Sequence, residues 1–353
     1  MSTSLLLYNW RCFAQQSFSI PEESFALVDE NGAGKSSLLG ALYSLYTGNS
    51  WPGTKIGEHL RVDTNYFGVL STRPDWSFSG QISGGRLHTR YQQPEAETAW
   101  PVIFTYSPDD NYWLSLPRNV KLQRLDQLIG YLNPEYLRLV TTLDKYVRAK
   151  QKLLKQSQVE FRLVLVLTRS ISEISVKIWE IRKGFLDYLS MSLAYFSNWI
   201  SSPLETWTIR YEITNSSGIR QQISRLKLES LDDEVIADLW RKEKIIQKVL
   251  YGAQRDEFQF ENGRIRAQHA LSRGENRLLT LYVKYLTQQK VKEVFPEKPL
   301  WWFLDDVYNE LDSVREDILQ REVLGLASFS IYSGTRGPSQ TPQYSIASLR
   351  KSF

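Results

Sequence analysis

Cysteine is nearly absent. Cys12 is the single one in 353 residues, so no internal disulfide can form and a reducing compartment fits. Taken alone, Cys12 is expected to be a small buried apolar residue. Long apolar runs are also missing: none approaches the roughly 18 residues needed to span a bilayer. The N-terminus has no basic segment followed by an apolar stretch and a cleavage site, so a cytoplasmic protein with no membrane partner is expected. Charge of one sign is lacking. The 43 Lys and Arg stand against 39 Asp and Glu, and a net charge of +4 permits an anionic partner such as nucleic acid without demanding one. No repeat or low-complexity tract interrupts the chain. What remains is an ordinary globular composition, 42% hydrophobic and 23% charged, long enough for about two domains or one with a long insertion.

The chain is organised around Asp29-Glu30-Asn31-Gly32-Ala33-Gly34-Lys35-Ser36-Ser37, between the apolar run Phe25 to Val28 and the helical run Leu38 to Tyr46. Strand, glycine turn and helix start in this order aim backbone N–H groups and the positive end of a helix dipole at one anion. On this reading Asn31, Gly32, Ala33, Gly34, Lys35, Ser36 and Ser37 bind the phosphates. Lys35 neutralises the β- and γ-phosphates, and the Ser36 hydroxyl holds Mg²⁺. The alternative is a glycine turn capping an ordinary helix. One position departs from the usual motif: Asp29 stands where glycine normally opens the loop, and its charge is expected to work against a polyphosphate.

Strands are expected at Ser4–Trp10, Phe18–Ile20 and Pro101–Tyr106, with a hairpin turn at Gly84-Gly85. Tyr136, Val140, Leu143, Val147 and Leu154 then recur at alternating four and three, the spacing of a helix seam, which Lys150 interrupts. A second helix carries Ile171, Ile174, Ile178, Ile181, Phe185 and Leu189, with a turn between Gln156 and Leu167; Val164–Leu167 reads equally as strand or helix. Trp207 to Ile213 alternates as a strand and runs into a turn at Asn215 to Gly218. A helix over Asp232–Leu250, a hairpin about Asn262-Gly263, a helix from about Gly274 to Gln289 and strands at Leu300–Leu304 and Phe329–Tyr332 complete the pattern. Gly334 to Pro342 reads as a tail loop.

Two further pieces carry chemistry. Leu300-Trp301-Trp302-Phe303-Leu304 ends in Asp305-Asp306, where Asp305 would share Mg²⁺ with Ser36 and Asp306 would be the catalytic carboxylate that orients or deprotonates water, beside Lys35. Ser272-Arg273-Gly274 opens a helix as a second anion site, which a single nucleotide does not need but a second copy of the protein would use; the plainer reading is an N-cap by Ser272. Loop, turn and acidic strand in this order point to an α/β fold, an ABC-type ATPase head with an inserted short antiparallel helical (coiled-coil) arm lobe. The expected division is residues 1–130, 131–203 for the arm and 204–353.

Within that class the chain resembles the RecF family along nearly its whole length. Glu30 to Leu39, Ser107-Pro108-Asp109, Asn133-Pro134-Glu135-Tyr136-Leu137, Gly252-Ala253-Gln254-Arg255-Asp256, Leu271-Ser272-Arg273-Gly274 and Leu304 to Asp312 carry the match. The resemblance implies an ATP-dependent homodimer and weak ATPase that clamps single-stranded, gapped or junction DNA in replication, repair and the SOS response, together with a RecR-like mediator. Glu275 departs from the glutamine usual in the signature, and Gln254 from a common histidine. A degenerate ABC-type sensor or scaffold that binds ATP with little hydrolysis is the alternative; a transporter subunit and a Rad50- or SMC-like head fit the short arm less well. For DNA, the row Arg138, Lys145, Arg148, Lys152 and Lys155 on one arm helix suits phosphate contacts, and equally a solvated helix face.

Overall fold

In the computed structural model, residues 3–71, 76–93, 100–156, 160–200, 207–215, 220–223, 231–263 and 265–351 are described. Of the turn expected at Asn215 to Gly218, residues 216–218 lie outside them. The chain divides into two units, Met1–Asn111 with Phe295–Phe353, and Tyr112–Val294.

The first unit begins with β1 (Thr3–Trp10), β2 (Phe13–Ile20), β3 (Phe25–Val28), α1 (Lys35–Thr47), β4 (Tyr66–Ser71), β5 (Ser77–Ser83), β6 (Arg86–Gln92) and β7 (Val102–Tyr106). Gly84 and Gly85 turn β5 into β6 at φ +57° and +73°, a left-handed pair that L side chains disfavour. β7 is buried at every residue, as a strand covered on both faces must be.

The second unit follows with α2 (Arg118–Leu132), α3 (Pro134–Leu153), α4 (Phe161–Ser192), β8 (Trp207–Thr214), β9 (Arg220–Gln222), α5 (Asp233–Ile246), β10 (Glu257–Asn262), β11 (Ile265–Arg266), α6 (Ala267–Ala270) and α7 (Arg273–Val294). Its sheet is antiparallel in the order β11-β10-β8-β9. α4 begins at Phe161, so Val164–Leu167 is helical, and it packs along α3. The Asn133 to Leu137 stretch is a helix-start device. Asn133 Oδ1 accepts the Tyr136 N–H at 3.3 Å, Pro134 occupies the first turn, and the buried Tyr136 hydroxyl donates to Asp126. A Cβ on Gly130 would lie 2.6 Å from Leu137 Cδ1, so α2 and α3 meet there closely.

Gly252 to Asp256 closes the polar centre of this unit. Arg182 of α4 is 2% exposed and donates to Asp126 at 2.9 Å, to Asp256 at 2.6 Å and to the Ala253 carbonyl at 2.7 Å. Trp179 and Tyr211 also donate to Asp256, at 2.9 and 2.5 Å. Two buried carboxylates keep the guanidinium charged, raising its pKa against the desolvation that would lower it. Lys150 sits inside the α3 seam because Glu243 of α5 meets it there at 2.5 Å.

The chain returns to the first unit with β12 (Leu300–Asp305), α8 (Ser313–Ile318), β13 (Phe329–Gly334), β14 (Gln343–Tyr344), α9 (Ile346–Leu349) and β15 (Arg350–Lys351). Two sheets result. One is antiparallel in the order β15-β2-β1-β4-β5-β6; the other is parallel in the order β14-β3-β13-β12-β7. α1 contacts β1, β4 and β5 of the first and β12 and β13 of the second. Leu38, Leu39, Ala41, Leu42 and Leu45 are accordingly buried on more than one face of the helix, each large side chain contributing about 1.5–3 kcal/mol. Mixed α/β architecture is the outcome. Among the described residues no helix is long and apolar enough to cross a membrane.

Candidate functional site

Parallel pairing brings the motifs together. Val28 lies beside Gly334, and Ser333 beside Asp305, so β3, β13 and β12 end at one edge of the sheet. The loop after β3 and the acids after β12 therefore share that edge, although most of the chain separates them.

Gly32 and Gly34 adopt φ +85° and +102°, the left-handed values that let the loop fold before α1. A Cβ on Gly34 would come within 2.8 Å of Phe13 Cζ and 3.1 Å of Cys12 Sγ, because the β1–β2 turn lies against the loop. Cys12 is exposed in that turn, contrary to the expectation of a buried residue: a tight turn leaves its side chain without a core to enter. Trp10 Nε1 donates to the Ser37 carbonyl at 2.8 Å and ties β1 to the start of α1. Lys35 is buried, its ammonium 2.7 Å from the Asp29 carbonyl oxygen and 2.8 Å from that of Glu30.

Ser36 Oγ donates to Asp305 Oδ1 at 2.9 Å, and Ser333 Oγ donates to the same oxygen. Burial raises the Asp305 pKa and the neighbouring Asp306 adds to it, while the two hydroxyls and Lys35 oppose the rise. Asp306 holds a left-handed backbone at φ +52°, its N–H bonded to the Ser333 carbonyl at 2.8 Å. Aspartate is among the few residues that tolerate that region. Downstream, Arg336 Nη2 donates to the Tyr308 and Leu311 carbonyls, at 2.9 Å for the latter, and pairs with Glu316 at 2.6 Å, so it holds the turn after the acids.

Arg11 was not marked by any sequence motif. It occupies the β1–β2 turn at φ +48°, where burial lowers its pKa and the charges of Glu58 and Asp305 oppose that shift. Its nearness to Asp305 comes from the hairpin folding back, which no local pattern encodes. His59 stacks on Trp10 with ring centroids 4.3 Å apart; burial lowers its pKa to about 4, so it is neutral at physiological pH.

Ser272, Arg273 and Gly274 belong to the second unit, at the start of α7. The Glu275 N–H donates to Ser272 Oγ at 3.3 Å while the Ser272 N–H donates to Glu275 Oε2 at 2.8 Å, a reciprocal capping box. Glu275 thus has a local task, and Ser272 and Arg273 remain exposed. On the arm, Arg138, Lys145, Arg148, Lys152 and Lys155 are all exposed, but only the first four lie on α3; Lys155 falls in the turn after the helix ends at Leu153. Arg138 pairs with Glu135 at 2.7 Å and Arg148 with Asp144 at 2.8 Å; at this exposure such pairs are weak and open to competition by another anion.

A family described as P-loop containing region of AAA domain matches residues 3–53. A "DNA replication and repair protein RecF" from Exiguobacterium sp. is 25% identical over 326 residues, covering 89% of this chain and 87% of the relative. The protein of the same name from Bacillus mycoides is 24% identical over 336 residues, covering 92% and 89%. Two solved structures share the fold. "Structure of the recombination mediator protein RecF-ATP in RecFOR pathway" superposes with a TM-score of 0.76 at 21% identity, covering 96% of this chain and 93% of that one. The RecF-ATPrS structure of the same pathway gives 0.74 at 20%, covering 98% and 96%.

Proposed function

We propose that this RecF-type chain is an ATP-binding recombination mediator of DNA replication and repair, the role printed in the names of the proteins it resembles. The observation that carries the nucleotide part is the convergence of Lys35, Ser36 and Asp305 on one sheet edge, with Ser36 Oγ 2.9 Å from Asp305 Oδ1. The N–H groups of Asn31 to Ser37 cradle the phosphates. Lys35 exchanges its two carbonyl acceptors for β- and γ-phosphate oxygens, so its ammonium is satisfied in both states.

Ser36 and Asp305 offer the hard oxygen donors that suit Mg²⁺, an ion that keeps several waters and needs few protein ligands. When bound it would neutralise charge developing on the phosphate oxygens. Asp306 orients or deprotonates the attacking water. The two departures that favoured a sensor without turnover, Asp29 and Glu275, both accept hydrogen bonds from backbone N–H groups, so each has a local structural task.

Ser272, Arg273 and Gly274 are assigned to the nucleotide of a second copy, which makes the assembly an ATP-dependent homodimer. Arg138, Lys145, Arg148, Lys152 and Lys155 are assigned to DNA phosphates, and a RecR-like protein is the expected partner in the cytoplasm. Light scattering with and without Mg·ATP, on the wild type and Lys35→Ala, tests the reading. A monomer-to-dimer shift in the wild type alone is expected; wild-type protein that fails to bind a fluorescent ATP analogue would sink it.

A further inference from the structure

Asp29 stands where the usual phosphate loop begins with glycine, and every polar atom of this residue is engaged. Its Oδ1 accepts the Glu30 N–H at 2.9 Å, and its Oδ2 accepts the Ile346 N–H at 2.9 Å. Its own N–H points to the Gly334 carbonyl at 3.4 Å, and its carbonyl accepts the Lys35 ammonium at 2.7 Å. The carboxylate is therefore turned to backbone donors, and these bonds lower its pKa.

Ile346 belongs to a segment that lies along the strand leading into the loop. β14 pairs with β3 in parallel, Gln343 beside Ala26 and Tyr344 beside Leu27. Ile346 and Leu349 are 2% and 3% exposed, in the same core as Phe25, Leu27 and Leu38. β15 then pairs with β2, Arg350 beside Phe18, so the segment is anchored on both sides of its contact with Asp29.

We propose that Asp29 is a positioning residue of the nucleotide site: its carboxylate fastens the first residue of the phosphate loop to the C-terminal segment 343–351, and this contact holds the start of the loop whose N–H groups face the phosphates. The inference rests on the reading of the loop as an ATP site. Its consequence is opposite in sign to simple electrostatics. If Asp29 merely repelled polyphosphate, restoring glycine would tighten binding; if it positions the loop, restoring glycine loosens it.

The test titrates full-length wild type, Asp29→Gly, Asp29→Asn, Ile346→Pro and the double variant Asp29→Gly/Ile346→Pro with a fluorescent ATP analogue and Mg²⁺. Proline removes the Ile346 donor at the first position of α9, after Ser345 at φ −81° and ψ 160°, a conformation open to the residue before proline. Asp29→Gly should weaken binding about fivefold or more, the order expected for the net loss of one hydrogen bond, and Asp29→Asn, which keeps an acceptor, should weaken it less. Ile346→Pro should also weaken it, and the double variant should be no worse than the weaker single one, because both remove the same contact. Unchanged or tighter binding by Asp29→Gly, or losses that add in the double variant, would overturn the proposal.

Amide exchange across Asp29 to Lys35 in nucleotide-free protein gives a second reading. Faster exchange in Asp29→Gly than in wild type is expected, and equal exchange overturns the proposal whether or not ATP binds. Wild type that binds no analogue at all would instead count against the ATP site itself. Circular dichroism on every variant identifies one that has failed to fold, for which Asp29→Asn is the substitute.

Discussion

Lys150→Met tests how the arm helix is held. Lys150 is 1% exposed and pairs at 2.5 Å with Glu243, which is 0% exposed and accepts the Leu250 N–H at 2.8 Å through its other oxygen. Methionine keeps most of the aliphatic stem, so little packing is lost. The cation is lost entirely, and Glu243 remains as a buried carboxylate with a single donor. Breaking one side of a buried pair costs about 3–5 kcal/mol. Lys150→Met/Glu243→Gln leaves no buried charge and keeps an acceptor for Leu250, so it should cost only about 1–3 kcal/mol for the unpaired amide. Because the chain has two units, global two-state unfolding is a poor measure, and native-state amide exchange across α3 and α5 is the better assay. The pH dependence carries a definite sign. Burial lowers the Lys150 pKa below its ordinary 10.5, although Glu243 opposes the shift. The unfolded chain then binds more protons below 10.5, so this site gains stability as pH rises towards that value, and Lys150→Met lacks the gain. A single variant no less stable than the double would refute the reasoning.

Three further outcomes are expected. Arg182→Met leaves Asp126 and Asp256 buried without their cation, and should lower the opening energy of α4 by about 3–5 kcal/mol in the same exchange measurement; no change would remove the network from the fold's support. Reversing Lys145, Lys152 and Lys155 to Glu should flatten the slope of log K for double-stranded DNA against log salt by about 2–3, given roughly 0.9 per phosphate contact, and an unchanged slope would take the arm out of the DNA site. Burial raises the Asp305 pKa, so Mg²⁺-dependent ATP binding should weaken on acidification at a pH above the ordinary 3.8, where the wild-type carboxyl takes up its proton. Asp305→Asn should show weaker metal dependence and a smaller loss on acidification in equilibrium titrations; an identical profile would remove Asp305 from the metal.

Much of the fold was legible because its signals are local. Phe25–Val28 was read as a strand and is one, since four consecutive apolar or small residues before a glycine turn have little else to do. The hairpins at Gly84-Gly85 and Asn262-Gly263 follow from residues that accept left-handed backbone. The capping of α7 by Ser272 was available from spacing alone, and so was Lys150 as an interruption of the α3 seam. Its partner was not, because Glu243 lies on a different helix and no periodicity joins them. α2 and the final elements β14, α9 and β15 were missed for a related reason. Two-residue strands such as Gln343–Tyr344 are strands only because β3 offers them an edge.

By itself the sequence determined the chemistry available to the protein: a glycine-turned loop with Lys35 and Ser36, an apolar strand ending in Asp305-Asp306, a capped turn at Ser272 and a basic row along the arm. Turn, cap and period act within a few residues, and so they can be read in one dimension. Only the tertiary structure decided which of these groups meet. Parallel pairing of β3, β13 and β12 put Ser36 beside Asp305, the β1–β2 hairpin brought Arg11 towards the same acid, and the C-terminal segment gave Asp29 a partner in Ile346. Those meetings depend on hydrogen-bond registers and burial between distant segments, which are properties of the packed chain.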